Sequence, residues 1–400
     1  MAPLKPVLLA AALPVLAACA STDHGARGAG ERPLDASSTE ASLWYQMDEM
    51  ERTLQASGRV LDDRELHDYV TGVLCRVSGA HCADMRLYIV EAPEFNASMA
   101  PNGMTLVHTG LLLRAGSEDE LAFVLAHEFV HFEENHSLEN HAARRNATIS
   151  AMVLGTALGV GVAAAGGSAR AAGDAANLGV IASYATAFSF SRDAEREADA
   201  KGFDYLVAAG YDPHAAPRIW ENFSTEIEAW DDEAPARRAA GESLFSTHPL
   251  IRERIGTLSA LAGDRPADGS DARAYRARIR PHLQAWLEDQ VEAVDPGAAI
   301  HLIERLARSG EDLGVLNHAR GQALAARYGS QALSAAEAWQ EAARHPDAPA
   351  ETWRALGEHH RGHGRAPEAA AAYRTYLQRA PDAPDALFIE RLIETLETPR

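Results

Sequence analysis

Five residues, His127-Glu128-Phe129-Val130-His131, constrain this chain more than any other feature, because H-E-x-x-H does chemical work only on a helix. On a helix, positions i and i+4 stand one above the other, so His127 and His131 can offer two imidazole nitrogens to one metal ion. Glu128 projects beside that face, where it can take a proton from an attacking water. This combination is that of zinc-dependent peptide hydrolysis. The flanks predict a buried helix. Leu121, Phe123, Val124, Leu125, Phe129, Val130 and Phe132 are apolar, and Ser117 is placed to cap an acidic first turn, Glu118-Asp119-Glu120. The competing reading is a surface helix with two unrelated histidines. A third ligand elsewhere in the chain decides between them.

A catalytic zinc usually takes three protein ligands and keeps one position open. His136 follows His131 by five residues without the glycine spacing of metzincins, and the helical pattern continues through Glu133-Glu134-Asn135. His136 and His141 are therefore expected in solvent or behind the ligands. The segment Ser191-Arg192-Asp193-Ala194-Glu195-Arg196-Glu197-Ala198-Asp199 is the better source. Glu195 and Asp199 stand at i and i+4 on one helix face. Glu195 can complete the zinc site, and Asp199 can hydrogen-bond the free N–H of a ligand histidine and fix its tautomer. Glu197 lies about 200° around the helix from Glu195 and is expected to face elsewhere. An acidic helix alone is ordinarily a solvated face; the pairing with His127 and His131 lifts it above that.

H-E-F-V-H followed by S-R-D-A-E-R-E-A-D resembles the HtpX and CAAX-prenyl-protease family of gluzincin metallopeptidases. Two further segments agree: Phe95-Asn96-Ala97-Ser98-Met99-Ala100-Pro101-Asn102-Gly103 with Thr109-Gly110-Leu111-Leu112, and Ser246-Thr247-His248-Pro249 with Arg254. The resemblance implies zinc as cofactor, with His127, His131 and Glu195 as its ligands. It also implies that His248 and Arg254 approach the zinc and the developing oxyanion. His248 could be a transition-state donor, a fourth ligand that closes the site, or a residue at a helix start before Pro249. Substrate is expected to add as an antiparallel strand along an edge near Asn96, Ala97, Ser98, Met99 and Ala100. Ser98 stands where the family usually has an aromatic, which bears on the nearest substrate pocket. Asn102 stands in place of the usual glycine; asparagine tolerates positive φ, so the Pro101-Asn102-Gly103 turn is expected to persist.

The first residues carry an address. An apolar run from Val7 to Ala18 is short for a membrane span and reads as a signal-peptide core. It ends Leu16-Ala17-Ala18-Cys19, which resembles a bacterial lipoprotein box. Cleavage would leave Cys19 as a lipidated N-terminus, and Ala20 and Ser21 after it imply outer-membrane sorting. Residues 19–40 then form a flexible tether. In an oxidising periplasm Cys75 and Cys82 are expected to pair, the alternative being two buried thiols. Residues 1–18 contain Lys5 and no acid, so removing them takes the formal charge from −20 to −21. That excess of acid argues against phosphate-backbone binding, and no nucleic-acid partner is expected.

The expected fold is an α+β zincin-like peptidase domain, mostly helical with a small sheet, over residues 41–262. An all-α tetratricopeptide-like domain follows over 263–400. Residues 41–79 read as helical, Met85 to Val90 as a strand, and Met99 to Val107 brackets a hairpin turn. Between the two zinc helices, 146–190 is Ala/Gly-rich and nearly free of charge, with Gly155 and Gly159 in G-x-x-x-G. It reads as a packed helical hairpin or lid, the sharper alternative being a membrane-inserted hairpin. After a polar break at Gly263–Asp271, Trp353, Leu356, Gly357, His360, Ala369, Tyr373, Tyr376 and Pro381 fit the tetratricopeptide pattern. Ala335, Trp339 and Ala342 repeat part of it 34 residues earlier, and Ala299, Ile303 and Leu306 match more faintly. The alternative is an ordinary Ala-rich bundle. Such repeats offer a concave surface to protein partners, here the outer-membrane assembly machinery. The function expected is an envelope zinc endopeptidase acting on misfolded or stalled proteins. The rival is an assembly or chaperone lipoprotein working through its repeats.

Overall fold

A computed structural model of the chain describes residues 30, 32, 33, 35, 38–138, 190–230, 251–267 and 269–398. Cys19, the Ala/Gly-rich run up to residue 189, His141 and His248 lie outside these residues. Among the described residues, no helix is long and apolar enough to cross a membrane.

Two helices open the fold, α1 (Thr39–Ala56) and α2 (Arg64–Ser78), capped by the side chains of Ser38 and Asp63. Leu66, Val70, Val73, Leu74 and Val77 form the buried stripe of α2. Cys75, in its last turn, is bonded to Cys82 in the 3-10 segment that follows. Three strands come next: β1 (Arg86–Val90), β2 (Ala97–Met99) and β3 (Met104–His108). β3 is central, parallel to β1 and antiparallel to β2.

Strand alternation divides the sheet between two cores. Leu87, Ile89, Ala97, Met99 and Val107 belong to the main core with α2 and the active-site helix. Ala100, Met104, Tyr88 and Leu106 pack instead with Leu43, Met47 and Met50 of α1. Polar contacts lock α1 to that face: Arg86 donates twice to Glu51, at 2.7 and 2.6 Å, and Asn102 Nδ2 donates to Asp48 at 3.0 Å. The turn between β2 and β3 persists, though not by the expected route. Asn102 does not take positive φ; Gly103 does, at +83°, and a Cβ there would strike the Asp84 carbonyl oxygen. Asn102 contributes through its side chain, accepting from Met104 N at 3.1 Å.

After α3 (Thr109–Arg114), α4 (Glu118–Glu133) carries H-E-x-x-H through the middle of the molecule, with Asp119 to Phe132 all buried. A helix apolar on nearly every side must be enclosed on every side. Ser117 caps it as expected. Its acidic first turn is an anchor: Glu118 accepts from Tyr69, Arg76 and Tyr211, and Asp119 accepts from Asp212 N and Ser270. The helix ends at Glu133, and Asn135 turns the chain at φ +55°, so the expected continuation through Asn135 does not occur. Next come α5 (Arg192–Ala208), α6 (Ala215–Glu228) and α7 (Ile251–Ala262).

The rest is helical: α8 (Ala272–Ile279), α9 (Leu283–Ala293), α10 (Pro296–Ala307), α11 (Leu313–Tyr328), α12 (Leu333–Ala342), α13 (Glu351–Gly362), α14 (Ala366–Arg379) and α15 (Ala386–Glu397). The main core runs from Leu66 to Leu356 without a break at residue 262. Across that point, Arg114 is buried between Glu226 and Gln290, at 2.6 and 2.8 Å, and Tyr275 donates to the Leu112 carbonyl at 2.7 Å. The α11/α12 and α13/α14 hairpins close in the same way. Gly321 faces the Trp339 ring and Gly357 the Tyr373 ring, each so tightly that a Cβ would overlap it.

Candidate metal centre and active site

Two helices make the centre. On α4, the Nε2 atoms of His127 and His131 lie 3.1 Å apart. On α5, Glu195 brings Oε2 to 3.5 Å from His127 Nε2 and Oε1 to 3.5 Å from His131 Nε2. All three residues are buried, with ligand atoms within 4.8 Å of one another. A tetrahedral ion with bonds of about 2.0–2.1 Å separates adjacent ligand atoms by about 3.4 Å. The three side chains therefore fit one zinc-sized ion, and two imidazoles with one carboxylate are a common catalytic donor set. Glu128, also buried, stands next to His127 on the same helix.

The close approach of α4 and α5 has a local cause. Gly202 faces the His127 backbone, and a Cβ there would lie 3.0 Å from His127 N. Glu195, Asp199 and Gly202 occupy i, i+4 and i+7 of one stripe, so the glycine brings both acids onto the metal face. Gly202 was invisible to the motif reading; its signal is a glycine one turn past Asp199 on the stripe of acids.

Asp199 Oδ1 lies 3.1 Å from His127 Nδ1, as expected of a tautomer-fixing acid. Arg254 enters from α7 and donates to the same carboxylate, Nε to Oδ2 at 2.9 Å and Nη2 to Oδ1 at 2.5 Å. Its guanidinium lies 3.8 Å over the Trp220 ring, and Nη1 stands 3.5 Å from Glu195 Oε2. Arg254 Nη2 also comes within 3.1 Å of His127 Nδ1, a contact that is packing alone when the Nδ1 proton points to Asp199. The guanidinium expected to meet the oxyanion is thus committed to Asp199 in this structure. Burial and the Arg254 charge push the His127 imidazole down, but Asp199 and Glu195 outweigh them and raise it to about 9. Burial likewise pushes Asp199 up, and Arg254 and His127 together hold it below the ordinary carboxylate range.

The expected substrate edge is β2. Asn96 O accepts from His108 N and Ala100 N donates to Met104 O, so the intervening Ala97 and Met99 point their backbone groups away from β3. Among the described residues no strand pairs with that side. Ala97, Ser98, Met99 and Ala100 are all buried. Ser98 shares its face of the sheet with Tyr88 and Leu106, a face that packs with α1 and Phe190. Phe190, which packs with Ala100 and Leu138, stacks flat on His131, with ring centroids 3.8 Å apart and planes at 13°. His136 is buried as well and touches His131.

Residues 61–262, half of the chain, match the model of Peptidase family M48. The chain belongs to peptidase family M48. It is 29% identical over 239 residues to a putative beta-barrel assembly-enhancing protease of Vibrio cholerae, covering 57% of this chain and 46% of that protein. It is 32% identical over 223 residues to the mitochondrial metalloendopeptidase OMA1 of Schizosaccharomyces pombe, covering 55% and 60%. The beta-barrel assembly-enhancing protease of Escherichia coli K12 is 28% identical over 246 residues, with 60% and 44% covered. The chain spans about half the length of the curated relatives it matches. As an M48 peptidase it is a metalloprotease, and the HtpX-type resemblance read from the motifs falls within the same family.

Proposed function

We propose that this M48 enzyme is a zinc-dependent endopeptidase of the bacterial envelope that removes misfolded or stalled proteins, outer-membrane β-barrel proteins among them. The observation that carries the chemistry is the meeting of His127, His131 and Glu195 beside a buried Glu128. When bound, zinc lowers the pKa of a water toward about 7 and polarises a peptide carbonyl. Glu128 accepts the proton that this water gives up and passes it to the leaving amine. Asp199 holds the Nδ1 proton of His127, which leaves Nε2 to act as ligand. Arg254 offsets the charge of Asp199 and Glu195 and keeps Asp199 in place.

Substrate recognition follows from the backbone. An extended peptide adding to β2 would pair with Ala97 and Met99 through main-chain groups, so side chains would be read weakly, as suits an unfolded client. Because Ala97, Ser98, Met99 and Ala100 are all buried here, peptide entry along β2 requires that edge to open. The envelope assignment draws on the lipoprotein-like start ending at Cys19, on the Cys75–Cys82 disulfide and on the names of two relatives. The paired Gly–aromatic hairpins of the C-terminal helices suit a tetratricopeptide-like surface that holds clients or assembly machinery. Substrate trapping tests the reading. A Glu128→Gln protein expressed in a bacterial envelope should retain uncleaved outer-membrane proteins that wild type does not. Retention of cytoplasmic proteins alone would contradict it.

A further inference from the structure

Each histidine on the metal face has a second ring nitrogen that needs a partner. For His127 that partner is Asp199. For His131 it is another histidine: His131 Nδ1 lies 2.9 Å from His136 Nδ1. His136 is 4% exposed, and its own Nε2 lies 3.5 Å from Glu197 Oε2. Lys201 grips Glu197 at 2.6 Å and also reaches Glu134. We propose that His136 is a positioning residue, which fixes the tautomer and ring orientation of His131 for the metal and is itself anchored by Glu197.

Proton placement leaves one consistent assignment. If His131 Nε2 presents its lone pair to the metal, the His131 proton sits on Nδ1 and can only be donated. His136 Nδ1 must accept it, so the His136 proton sits on Nε2, facing the Glu197 carboxylate. The reverse arrangement would put a proton on His131 Nε2, 3.1 Å from His127 Nε2, and remove the ligand. Backbone geometry explains how a residue five positions on can reach His131. On a continuing helix it would lie about 140° away around the axis. α4 stops at Glu133 instead, and Asn135, at φ +55°, swings the chain back so that His136 meets the ring. Phe190 stacks on the face of the same ring, so His131 is held both at an edge and on a face. The acids at 195, 197 and 199 then have three separate tasks: ligand, anchor for the His131 side, and anchor for the His127 side.

This inference rests on the metal assignment above, and the experiment separates the two. Zinc affinity is measured on the full chain by competition with a chromogenic chelator. His136→Ala should bind zinc 10–100-fold more weakly, the usual cost of removing such a partner. His136→Asn, whose amide oxygen can accept the same hydrogen bond, should recover most of that loss, which a purely structural role would not predict. Glu197→Ala, at a half-exposed site, should weaken binding several-fold. Wild-type affinity in folded His136→Ala, or no recovery in His136→Asn, overturns the proposal. If His136→Ala does not fold, Glu197→Ala decides: weaker zinc supports it and wild-type affinity overturns it. Should His131→Ala bind zinc as tightly as wild type, the metal assignment itself fails. Loss of zinc in His131→Ala but not in His136→Ala refutes the role of His136 alone.

Discussion

Replacing Gly202 with alanine should damage the metal centre while leaving the fold largely intact. The new Cβ would lie 3.0 Å from His127 N and 3.1 Å from His127 Cα, whereas ordinary contact begins at 3.4 Å. Both neighbours are backbone atoms of a buried helix and cannot swing aside, so α4 and α5 must part by about 0.4 Å. Metal–ligand distances in well-formed sites lie within about 0.2 Å of their standard values. Glu195 rides on α5 and the two histidines on α4, so the separation falls directly on the ligand set. Overpacking costs about 1–3 kcal/mol, and alanine returns up to about 1 kcal/mol of helix propensity. The net stability change should therefore stay within about 2 kcal/mol. Zinc affinity should fall at least ~10-fold, about 1.4 kcal/mol. Chelator competition reads the affinity and urea unfolding of the metal-free protein reads the stability. Gly72, exposed on α2 with nothing within 4 Å of its Cβ position, is the control. Gly72→Ala should gain about 0.5–1 kcal/mol and leave zinc untouched. Wild-type zinc affinity in Gly202→Ala would refute the claim that this close contact sets the ligand geometry.

Other consequences follow from buried groups. Glu226→Ala strands the buried Arg114 guanidinium and should cost about 3–5 kcal/mol in urea unfolding, while the Arg114→Met, Glu226→Leu pair should recover much of that loss. His318, hydrogen-bonded to Thr352, is pushed down to about 4 by burial, against an ordinary 6.5. As pH falls the unfolded chain takes up this proton first. The contribution is complete above about 6.5, drains toward pH 4 and levels below it, for a total of about 3 kcal/mol. His318→Leu should flatten that part of the stability–pH curve. Reducing the Cys75–Cys82 disulfide frees only a short loop, so it should lower stability by about 2 kcal/mol and leave zinc affinity unchanged.

What could be read from the residues was whatever a single helix decides. H-E-x-x-H and E-x-x-x-D announce themselves because the i, i+4 spacing alone puts each pair on one face. Ser117 as cap and the apolar flanks of α4 were legible for the same reason. What escaped depends on neighbours distant in sequence. Gly202 matters only because His127 lies against it. The role of His136 depends on a left-handed Asn135 that ends a helix whose composition would let it continue. Arg254 could be expected near the zinc, but its commitment to Asp199 and Trp220 is decided by how α5, α6 and α7 pack. The turn after β2 was expected correctly, yet its positive φ falls to Gly103, while Asn102 serves the turn through its side chain.

The central claim is that one zinc held by His127, His131 and Glu195 works with Glu128 to cleave peptide bonds. Its most direct test compares wild type with Glu128→Gln in the same preparations, measuring zinc per chain and cleavage of an unfolded protein such as reduced casein. The account predicts one zinc per chain in both, with cleavage by wild type and none above background in the variant. Cleavage by the variant at the wild-type rate, or cleavage by a wild type that binds no metal, would contradict it.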